Sequence, residues 1–404
     1  MVMKLKSRPD DFQVEEVTSV VAGTTGAYAF YRLTKKSMGT PEAIQRICRE
    51  LNVDPRRVRY GGLKDRHAET IQYLTIDEGP ERHFRDALIQ LNYLGRVEEP
   101  YGPQSFSGNR FGITIRDLDQ PALDRMLESL EEVRHGLIAN YFDDQRFGSV
   151  GADQQFVARA LIDGNDEKAL KLAISTYYEH DRSQERKAKA LLRQHWGNWQ
   201  KLTNKMPNGF LSHIVVHLNG QPDDYRGAFA LISFFLRNMY LSAYQSSLWN
   251  RILSCWLTTS LPVTSLIAVQ QKHQSIPMPV HLSQEQITEL KALEIPLPSS
   301  RAEMTLDHPF KPSVDAVLIE EGLGMNQIKL KHYKEPFFSK GNRPAFYMPE
   351  ALQHELGWDK LNKGHRKIRL TFALPRGSYA TLLIKRISTG VPWVRSSASG
   401  EVVT

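Results

Sequence analysis

Cysteine is nearly absent from this sequence. Its 404 residues contain only two cysteines, Cys48 and Cys255, which lie far apart. Such a pair provides neither a disulfide framework nor the close spacing of zinc ligands. We therefore expect a reducing, cytoplasmic environment and no metal site.

Long apolar runs are missing as well. The first eleven residues lack the apolar core of a signal peptide. The most apolar long segment, residues 228–241, is interrupted by Arg237 and Asn238, and it is shorter than the ~18 apolar residues that a membrane span requires. We expect a buried helix in this segment and no membrane partner.

Motifs that bind common cofactors are also lacking. There is no P-loop and no HExxH sequence, and residues 322–325 do not continue into a dinucleotide-binding fingerprint. A methyltransferase would need a glycine-rich loop after a strand, and the sequence contains none. We therefore expect a protein that works without a cofactor.

The composition that remains is globular with a basic excess. Hydrophobic residues make up 41% of the chain and charged residues 24%, which is enough apolar material for a sizeable core. The 52 lysines and arginines outnumber the 45 acidic residues, so the net charge is +7. This balance suits an RNA or DNA partner without requiring one, and the length predicts two domains.

The most informative stretch is residues 60–72. Two adjacent glycines permit backbone angles that a side chain would forbid, and the apolar run that follows predicts a strand. Asp65 then lies on a loop at the edge of a sheet, flanked by Lys64 and Arg66. Neighbouring cations favour the ionised carboxylate that a nucleophile or a base needs. A solvated charged turn is the alternative interpretation, and local chemistry leaves both open.

This stretch resembles the G-x-K-D-x-x-A-x-T-x-Q signature of the TruD family of pseudouridine synthases. Four further blocks resemble the family in chain order: F-x-V-x-E from Phe12, N-Y-F-G-x-Q-R-F-G from Asn140, A-x-Q-S-x-L-F-N from Ala243, and L-P-x-G-x-[YF]-A-T from Leu374. Asp143 stands where the family has glycine, and aspartate tolerates left-handed backbone angles better than most residues. Several ordered blocks are far more specific than one motif.

The resemblance implies an isomerase that converts uridine to pseudouridine in tRNA without a cofactor, at uridine 13 in the family's bacterial members. Asp65 is then the catalytic residue, as a nucleophile or as a base, supported by Lys64 and by Lys35, for which Lys36 is the alternative. The target base must be flipped out and stacked on aromatic rings. The residues predicted to hold the base or the RNA are Phe12, Asn140, Phe142, Gln145, Arg146, Lys367, Arg369, Arg376 and Tyr379.

The implied fold is α+β. A mixed or antiparallel pseudouridine-synthase sheet domain, residues 1–150 plus 336–404, is interrupted by a mainly helical TRUD domain, residues 151–335, and RNA binds in the cleft between them. We expect a monomer whose partner is tRNA, with other structured RNA as an alternative substrate. A non-catalytic RNA-binding protein or chaperone that uses the same cleft is the alternative function.

Two local patterns add predictions about helices. Thr40 followed by Pro41 predicts a helix with Thr40 as its N-cap. Residues 81–92 predict a further short helix.

Overall fold

A computed structural model describes residues 3–178, 181–389 and 393–395 of the chain. It divides into two compact units. The first unit comprises Met1–Ile138 and Tyr347–Thr404, and the second comprises Ala139–Phe346.

The boundaries of these units differ from the predicted ones at residues 150 and 336. Segments 139–150 and 336–346 lie in the second unit, where they bond to each other. The backbone N–H of Asn140 donates to the carbonyl oxygen of Ala345 at 2.8 Å. The segment that begins at Asn140 is therefore part of the helical unit and not of the sheet unit.

The first unit is built on a mixed sheet that has eleven strands among the described residues. The strands are β1 (Met3–Leu5), β2 (Phe12–Thr18), β3 (Tyr28–Lys36), β4 (Val58–Tyr60), β5 (Glu69–Asp77), β6 (Phe84–Arg85), β7 (Ile89–Val97), β8 (Phe106–Leu118), β15 (Glu350–Trp358), β16 (Arg366–Pro375) and β17 (Trp393–Arg395). The main path runs β15–β16–β8–β2–β5–β3–β7–β6, while β1 pairs with β8 and β17, and β4 pairs with β5. The β2–β5 and β1–β17 pairs are parallel, and the other pairs are antiparallel. The predicted α+β class with a mixed sheet is confirmed.

Alternating side chains give this sheet two different faces. In β2, Phe12 is buried whereas its neighbour Gln13 is half-buried, which is the alternation expected of a strand. The register places Phe12 beside Ile113 of β8 and Ile113 beside Leu370 of β16. These three side chains lie on one face, which we call the helix-covered face.

Helices cover this face on both sides of the parallel β2–β5 pair. The helices of the first unit are α1 (Thr40–Leu51), α2 (Gln120–His135) and α12 (Ala380–Ile387). Helix α1 packs on β3, β5 and β7 through buried apolar side chains, each contributing about 1.5–3 kcal/mol relative to exposure. Helix α2 lies over β15, where Arg134 Nη2 is 3.3 Å from His354 Nδ1, and Arg386 of α12 pairs with Glu132 of α2.

Of the two local helix predictions, the one for residues 81–92 is wrong, and the one that begins at Thr40 is wrong only in its N-cap. Residues 81–92 form β6 and the start of β7, because Ile89 and Leu91 are buried and alternate with the half-buried Gln90. The N-cap of α1 is Gly39, and Thr40 is the first helical residue. The Thr40 hydroxyl binds the loop between β4 and β5 instead of capping the helix.

The second unit is mainly helical. Its elements are α3 (Val157–Ile162), α4 (Asp166–Ser175), α5 (Ser183–Gln194), α6 (Trp199–Thr203), α7 (Phe210–Gly220), α8 (Tyr225–Ala230), α9 (Phe234–Ser260), α10 (Gln284–Lys291), α11 (Lys311–Glu321), β10 (Leu266–Gln270), β11 (Ser275–Pro279), β12 (Glu294–Pro296) and β13 (Asn342–Pro344), and the strands β9 (Ile138–Ala139) and β14 (Phe346–Tyr347) stand at its ends. Helix α9 has 27 residues and buries Leu248, Trp249 and Ile252 completely. Within the described part of the chain, no helix is both long and apolar enough to cross a membrane.

Candidate active site

Asp65 lies on the loop between β4 and β5. Gln72 and Thr40 hold the first part of this loop by its main chain: Gln72 donates from Nε2 to the Gly62 carbonyl oxygen at 3.3 Å, and the Thr40 hydroxyl accepts from the Lys64 N–H at 3.0 Å. Thr40 and Gln72 are themselves joined by a 2.9 Å hydrogen bond. These bonds fix the backbone that leads into Asp65.

Gly61 lets the loop pass close to two aromatic rings. A Cβ atom at this position would lie 2.6 Å from Cε1 of Phe106 and 3.2 Å from Cε1 of Tyr101. Close-packed interiors do not accommodate such overlap without displacing the rings. Glycine is required here by the contact itself.

The Asp65 carboxylate is bonded on both oxygens and remains accessible. Its Oδ2 forms an ion pair with Lys6 Nζ, and its Oδ1 accepts from the His67 N–H at 2.9 Å. The side chain is 29% exposed, whereas that of Lys6 is 9% exposed. A cation and a backbone donor stabilise the charged carboxylate, and the exposed fraction leaves it open to a substrate.

Lys6 is a partner of Asp65 that sequence reasoning misses. It follows the three-residue strand β1, which is too short to show an alternation, and it stands 59 positions before Asp65. Its ammonium group lies 4.1 Å from the centroid of the Phe12 ring, which places the Asp65 loop on the helix-covered face. Its φ of +57° is uncommon for a residue with a side chain and persists only where the surroundings determine it.

Lys35 supports the loop through main-chain oxygens. Its fully buried ammonium group donates to the carbonyl oxygens of Met38 at 2.6 Å, Asp65 at 2.9 Å and Lys64 at 3.4 Å. Burial lowers the pKa of Lys35 to about 8, although the Asp65 charge opposes this shift. The cation bonded to the Asp65 carboxylate is thus Lys6, while Lys35 holds the backbone. The alternative, Lys36, pairs with Asp10.

Lys64 anchors the loop to the sheet. Its ammonium group lies 3.0 Å from Oε1 of the buried Glu16 and donates to Asn109 Oδ1 at 2.8 Å. The β2–β5 pairing ends just before Glu16, whose Oε2 then accepts from the Tyr73 N–H at 3.0 Å. Lys64 therefore positions the residue next to it, Asp65.

The residues of the first unit that are predicted to contact RNA do not all lie on the side of the sheet that carries the Asp65 loop. Arg376 is exposed and bonds to the Pro103 carbonyl oxygen, and Tyr379 is half-buried before α12. In β16, however, Leu370 lies on the helix-covered face. Lys367 and Arg369 alternate with it along the strand, so they point to the opposite face, away from the Asp65 loop. The Arg369 guanidinium donates to Gln13 Oε1 at 2.5 Å on that opposite face.

Phe12 is buried beneath Lys6. Its ring is 5% exposed and packs edge-on against Phe111, with ring centroids 6.4 Å apart. The predicted role in RNA binding is therefore indirect, since Phe12 supports the cation that pairs with Asp65.

In the second unit, Asn140 is used internally. Its Nδ2 donates to the Pro344 carbonyl oxygen at 3.0 Å, and its Oδ1 accepts from Arg343 Nη2 at 2.8 Å. The residue is 2% exposed. These bonds tie Asn140 to the neighbouring strand, whereas the sequence predicts that it holds the base or the RNA.

Phe142 is enclosed by other side chains. Its ring meets Trp249 edge-on at 5.5 Å, and the guanidinium of Arg343 lies 4.1 Å from its centroid. Asn250 binds both its N–H and its carbonyl oxygen, at 2.8 Å and 2.9 Å. The blocks around positions 140 and 250 therefore meet in space, as parts of one packed cluster. Gln145 and Arg146 are exposed beside it.

No group of three or more His, Cys, Asp or Glu side chains that could hold a metal ion occurs within the described residues. The groups that the structure brings together around Asp65 are cations, backbone carbonyls and one backbone N–H. This arrangement can hold a carboxylate ionised and aimed for acid–base or nucleophilic chemistry.

The known proteins that this chain resembles carry the same description. Residues 1–387 match the family described as tRNA pseudouridine synthase D (TruD). The probable tRNA pseudouridine synthase D 1 of Methanococcus maripaludis is 30% identical over 397 residues, which cover 95% of this chain and 99% of that protein. The tRNA pseudouridine synthase D of Aquifex aeolicus is 27% identical and matches 96% of this chain and 98% of its own length.

A solved structure matches in shape as well. The crystal structure of a putative tRNA pseudouridine synthase D from Methanosarcina mazei aligns with a TM-score of 0.71 at 26% identity. The alignment covers 97% of this chain and 94% of that chain.

Proposed function

We propose, since the chain belongs to the TruD family of tRNA pseudouridine synthases, that Asp65 is the carboxylate with which it isomerises uridine 13 of tRNA. The enzyme class, an isomerase, follows from the family. The proposal concerns the residue that reacts and the uridine that it acts on.

The reaction defines what the catalytic group must do. The glycosidic bond between the ribose and a ring nitrogen breaks, the base turns, and a ring carbon joins the same ribose carbon. That ring carbon loses a proton and the ring nitrogen gains one, so every atom is conserved. An ionised carboxylate is needed whether it attacks the sugar, attacks the base or removes a sugar proton.

The observation that carries the proposal is the pairing of Asp65 with Lys6. The ion pair and the 2.9 Å bond from the His67 N–H stabilise the anion before substrate binds. The Lys35 ammonium group fixes the carbonyl oxygen of Asp65 itself at 2.9 Å. These contacts form a preorganised carboxylate, which is the arrangement that electrostatic catalysis favours.

The substrate base must leave its stack to reach such a group. Flipping costs a few kcal/mol, and stacking on an aromatic ring returns about 1–3 kcal/mol. Tyr379 is half-buried and is the stronger candidate for this ring, because Phe142 is 6% exposed. We propose a monomer that acts in the cytoplasm, where tRNA is processed, and sedimentation of the purified chain tests the first point.

The proposal is tested by product formation on a defined RNA. The protein is incubated with an unmodified tRNA transcript, and pseudouridine is mapped by carbodiimide treatment and primer extension. We expect one new stop, immediately 3′ of position 13, and none on a matched transcript with cytidine at position 13. Tight binding without any new stop would favour the non-catalytic RNA-binding alternative, and a stop elsewhere would reassign the substrate uridine.

A further inference from the structure

Three phenylalanines of the second unit face solvent. Phe234 is 52% exposed, Phe235 58% and Phe337 60%. Exposed large aromatic side chains that lie together are uncommon on soluble proteins and mark binding surfaces. A fourth exposed phenylalanine, Phe210 at 45%, begins α7 and provides a comparison.

The three rings belong to neighbouring segments. Phe234 and Phe235 form the first turn of α9, and Arg237 of the next turn donates from Nη1 to the Glu335 carbonyl oxygen at 2.8 Å. Phe337 stands two residues after that carbonyl. One arginine side chain therefore spans the distance between the start of α9 and the segment that carries Phe337.

The segment around Phe337 is anchored on its inner side. Tyr333 donates from its hydroxyl to Asp166 Oδ1 at 2.8 Å and packs edge-on against the buried Phe229, with ring centroids 5.7 Å apart. Phe338 is 4% exposed. Because the neighbouring side chains are fixed inward, Phe337 is presented outward by a held backbone.

Cations outnumber acids in the segment that carries Phe337, and of these Lys340 pairs with Glu303 and Arg343 bonds to Asn140. Residues 329–343 contain five lysines and arginines but only one acid, Glu335. The Arg301 guanidinium lies 5.6 Å from the centroid of the Phe337 ring, and Lys334 is exposed beside it. The patch therefore combines aromatic faces with cations, and we call it the aromatic–cationic surface: Phe234, Phe235, Phe337, Arg237, Arg301 and Lys334.

We propose that the aromatic–cationic surface binds unpaired nucleotides of the tRNA substrate by base stacking, an inference that rests on the proposed function. Every base offers a face to an aromatic ring, and cations neutralise the phosphates between bases. Duplex RNA hides its base faces and would use the cations alone. The excess of cations over acids in residues 329–343 complements a phosphate backbone, which favours RNA over a protein partner.

The test compares two RNAs and two sets of variants. Phe235 and Phe337 are replaced together by alanine, and Phe210→Ala is the matched control. Dissociation constants are measured for an unmodified tRNA transcript and for a fully paired RNA duplex of similar length. We expect the double variant to bind tRNA about tenfold or more weakly, as expected from lost stacking, and to bind the duplex within about twofold of the parent. Phe210→Ala is expected to change neither.

Two outcomes would overturn the proposal. One is an unchanged tRNA affinity in the double variant whose circular dichroism and melting match the parent. The other is an equal loss of affinity for both RNAs. A dimeric parent that becomes monomeric on substitution, with tRNA affinity intact, would assign the surface to a second copy of the chain.

A tryptophan variant and the use of an inactive protein separate this test from the test of Asp65. Phe337→Trp alone keeps a stacking ring and is expected to retain tRNA affinity, whereas Phe337→Ala alone is expected to lose part of it. All affinities are measured in the Asp65→Asn protein, which turns nothing over if the proposed function is right. Binding is read without product, so a failure of the stacking surface and a failure of Asp65 give different results.

Discussion

The Asp65 loop and the segment that begins at Asn140 both lie within the match to one family, yet they are built differently. Around Asp65, charged groups surround a carboxylate that is 29% exposed. Around Asn140, the amide is 2% exposed and bonded on both its atoms to the Pro344–Arg343 strand. The first arrangement leaves a charged carboxylate accessible, and the second uses polar groups to hold a packed cluster.

The difference shows that a matching motif does not reveal whether its residues react or support. A polar group whose bonding capacity is filled inside the protein stabilises structure. A charged group that is stabilised yet accessible can react. The predictions below test this division, from the largest expected effect to the smallest.

Phe142→Ala is expected to destabilise the protein by about 3–5 kcal/mol, because it removes a buried ring and leaves a cavity. The ring's contacts with Trp249 and Arg343 would be lost together. Urea unfolding measures the effect. Gln145→Ala, in the same segment but exposed, serves as the control and should stay within about 0.5 kcal/mol. An unchanged stability for Phe142→Ala, with lost activity, would make Phe142 a contact for RNA.

Lys6→Met is expected to lower the single-turnover rate about 10- to 150-fold, since it removes a hydrogen bond between charged groups worth about 1.5–3 kcal/mol. Methionine keeps the apolar contact with Phe12. Lys4→Met is the control, because Lys4 lies two residues earlier, on β1, but pairs with Asp117 at 2.8 Å. If both variants reacted at the parent's rate, Lys6 would have no part in positioning Asp65.

Activity is expected to fall as the pH rises through about 8, because the pKa of Lys35 is lowered to about 8 from an ordinary 10.5. The neutral amine holds the Met38, Lys64 and Asp65 carbonyl oxygens less strongly. Between these two pH values the unfolded chain keeps a proton that the folded chain has released, so this group's contribution to the free energy of unfolding increases with pH. The lost activity would therefore not come from Lys35-driven unfolding.

This alkaline decline is measured as the rate at saturating tRNA across the titration of Lys35, alongside the free energy of unfolding. Lys36→Gln should show the same decline, because Lys36 pairs with Asp10 outside the site. A rate that stays level well above pH 8 would mean that the charge of Lys35 is not needed.

Arg369→Gln is expected to have the smallest effect, less than about twofold on the rate at saturating tRNA. The Arg369 guanidinium bonds to Gln13 on the face opposite the Asp65 loop. Weaker tRNA binding with a normal rate would still leave it a role in attracting RNA. A rate reduced tenfold would place it in the reaction and contradict the separation of the two faces.

Much of the fold follows from the sequence, and particular residues show where prediction stops. The alternation in β2 and β16 predicts two-faced strands, which the structure contains. Which face of β16 lies on the Asp65 side depends on its register with β8, so the alternation alone could not separate Arg369 from the site. Pairing of distant segments is a tertiary property that local patterns do not contain.

The candidate site is predictable only where its chemistry is local. Asp65 and Lys64 stand in one motif, and Lys35, with Lys36 as the alternative, follows from the family resemblance. Lys6 depends on a contact with a residue 59 positions away, and Phe142 depends on a helix a hundred residues downstream. Burial decides whether an aromatic residue stacks on a base or fills a core, and burial is set by the whole fold.

The most direct test of the central claim is the single-turnover rate of pseudouridine formation by Asp65→Asn, measured with its tRNA affinity on the same protein. Asparagine keeps the shape of the side chain and can still accept from the His67 N–H, but it carries no charge. We predict a rate at least about 10⁴-fold lower, as when a catalytic group is removed, with the dissociation constant for tRNA within about twofold of the parent. A variant that forms pseudouridine at the parent's rate would contradict the assignment of Asp65 as the reacting carboxylate.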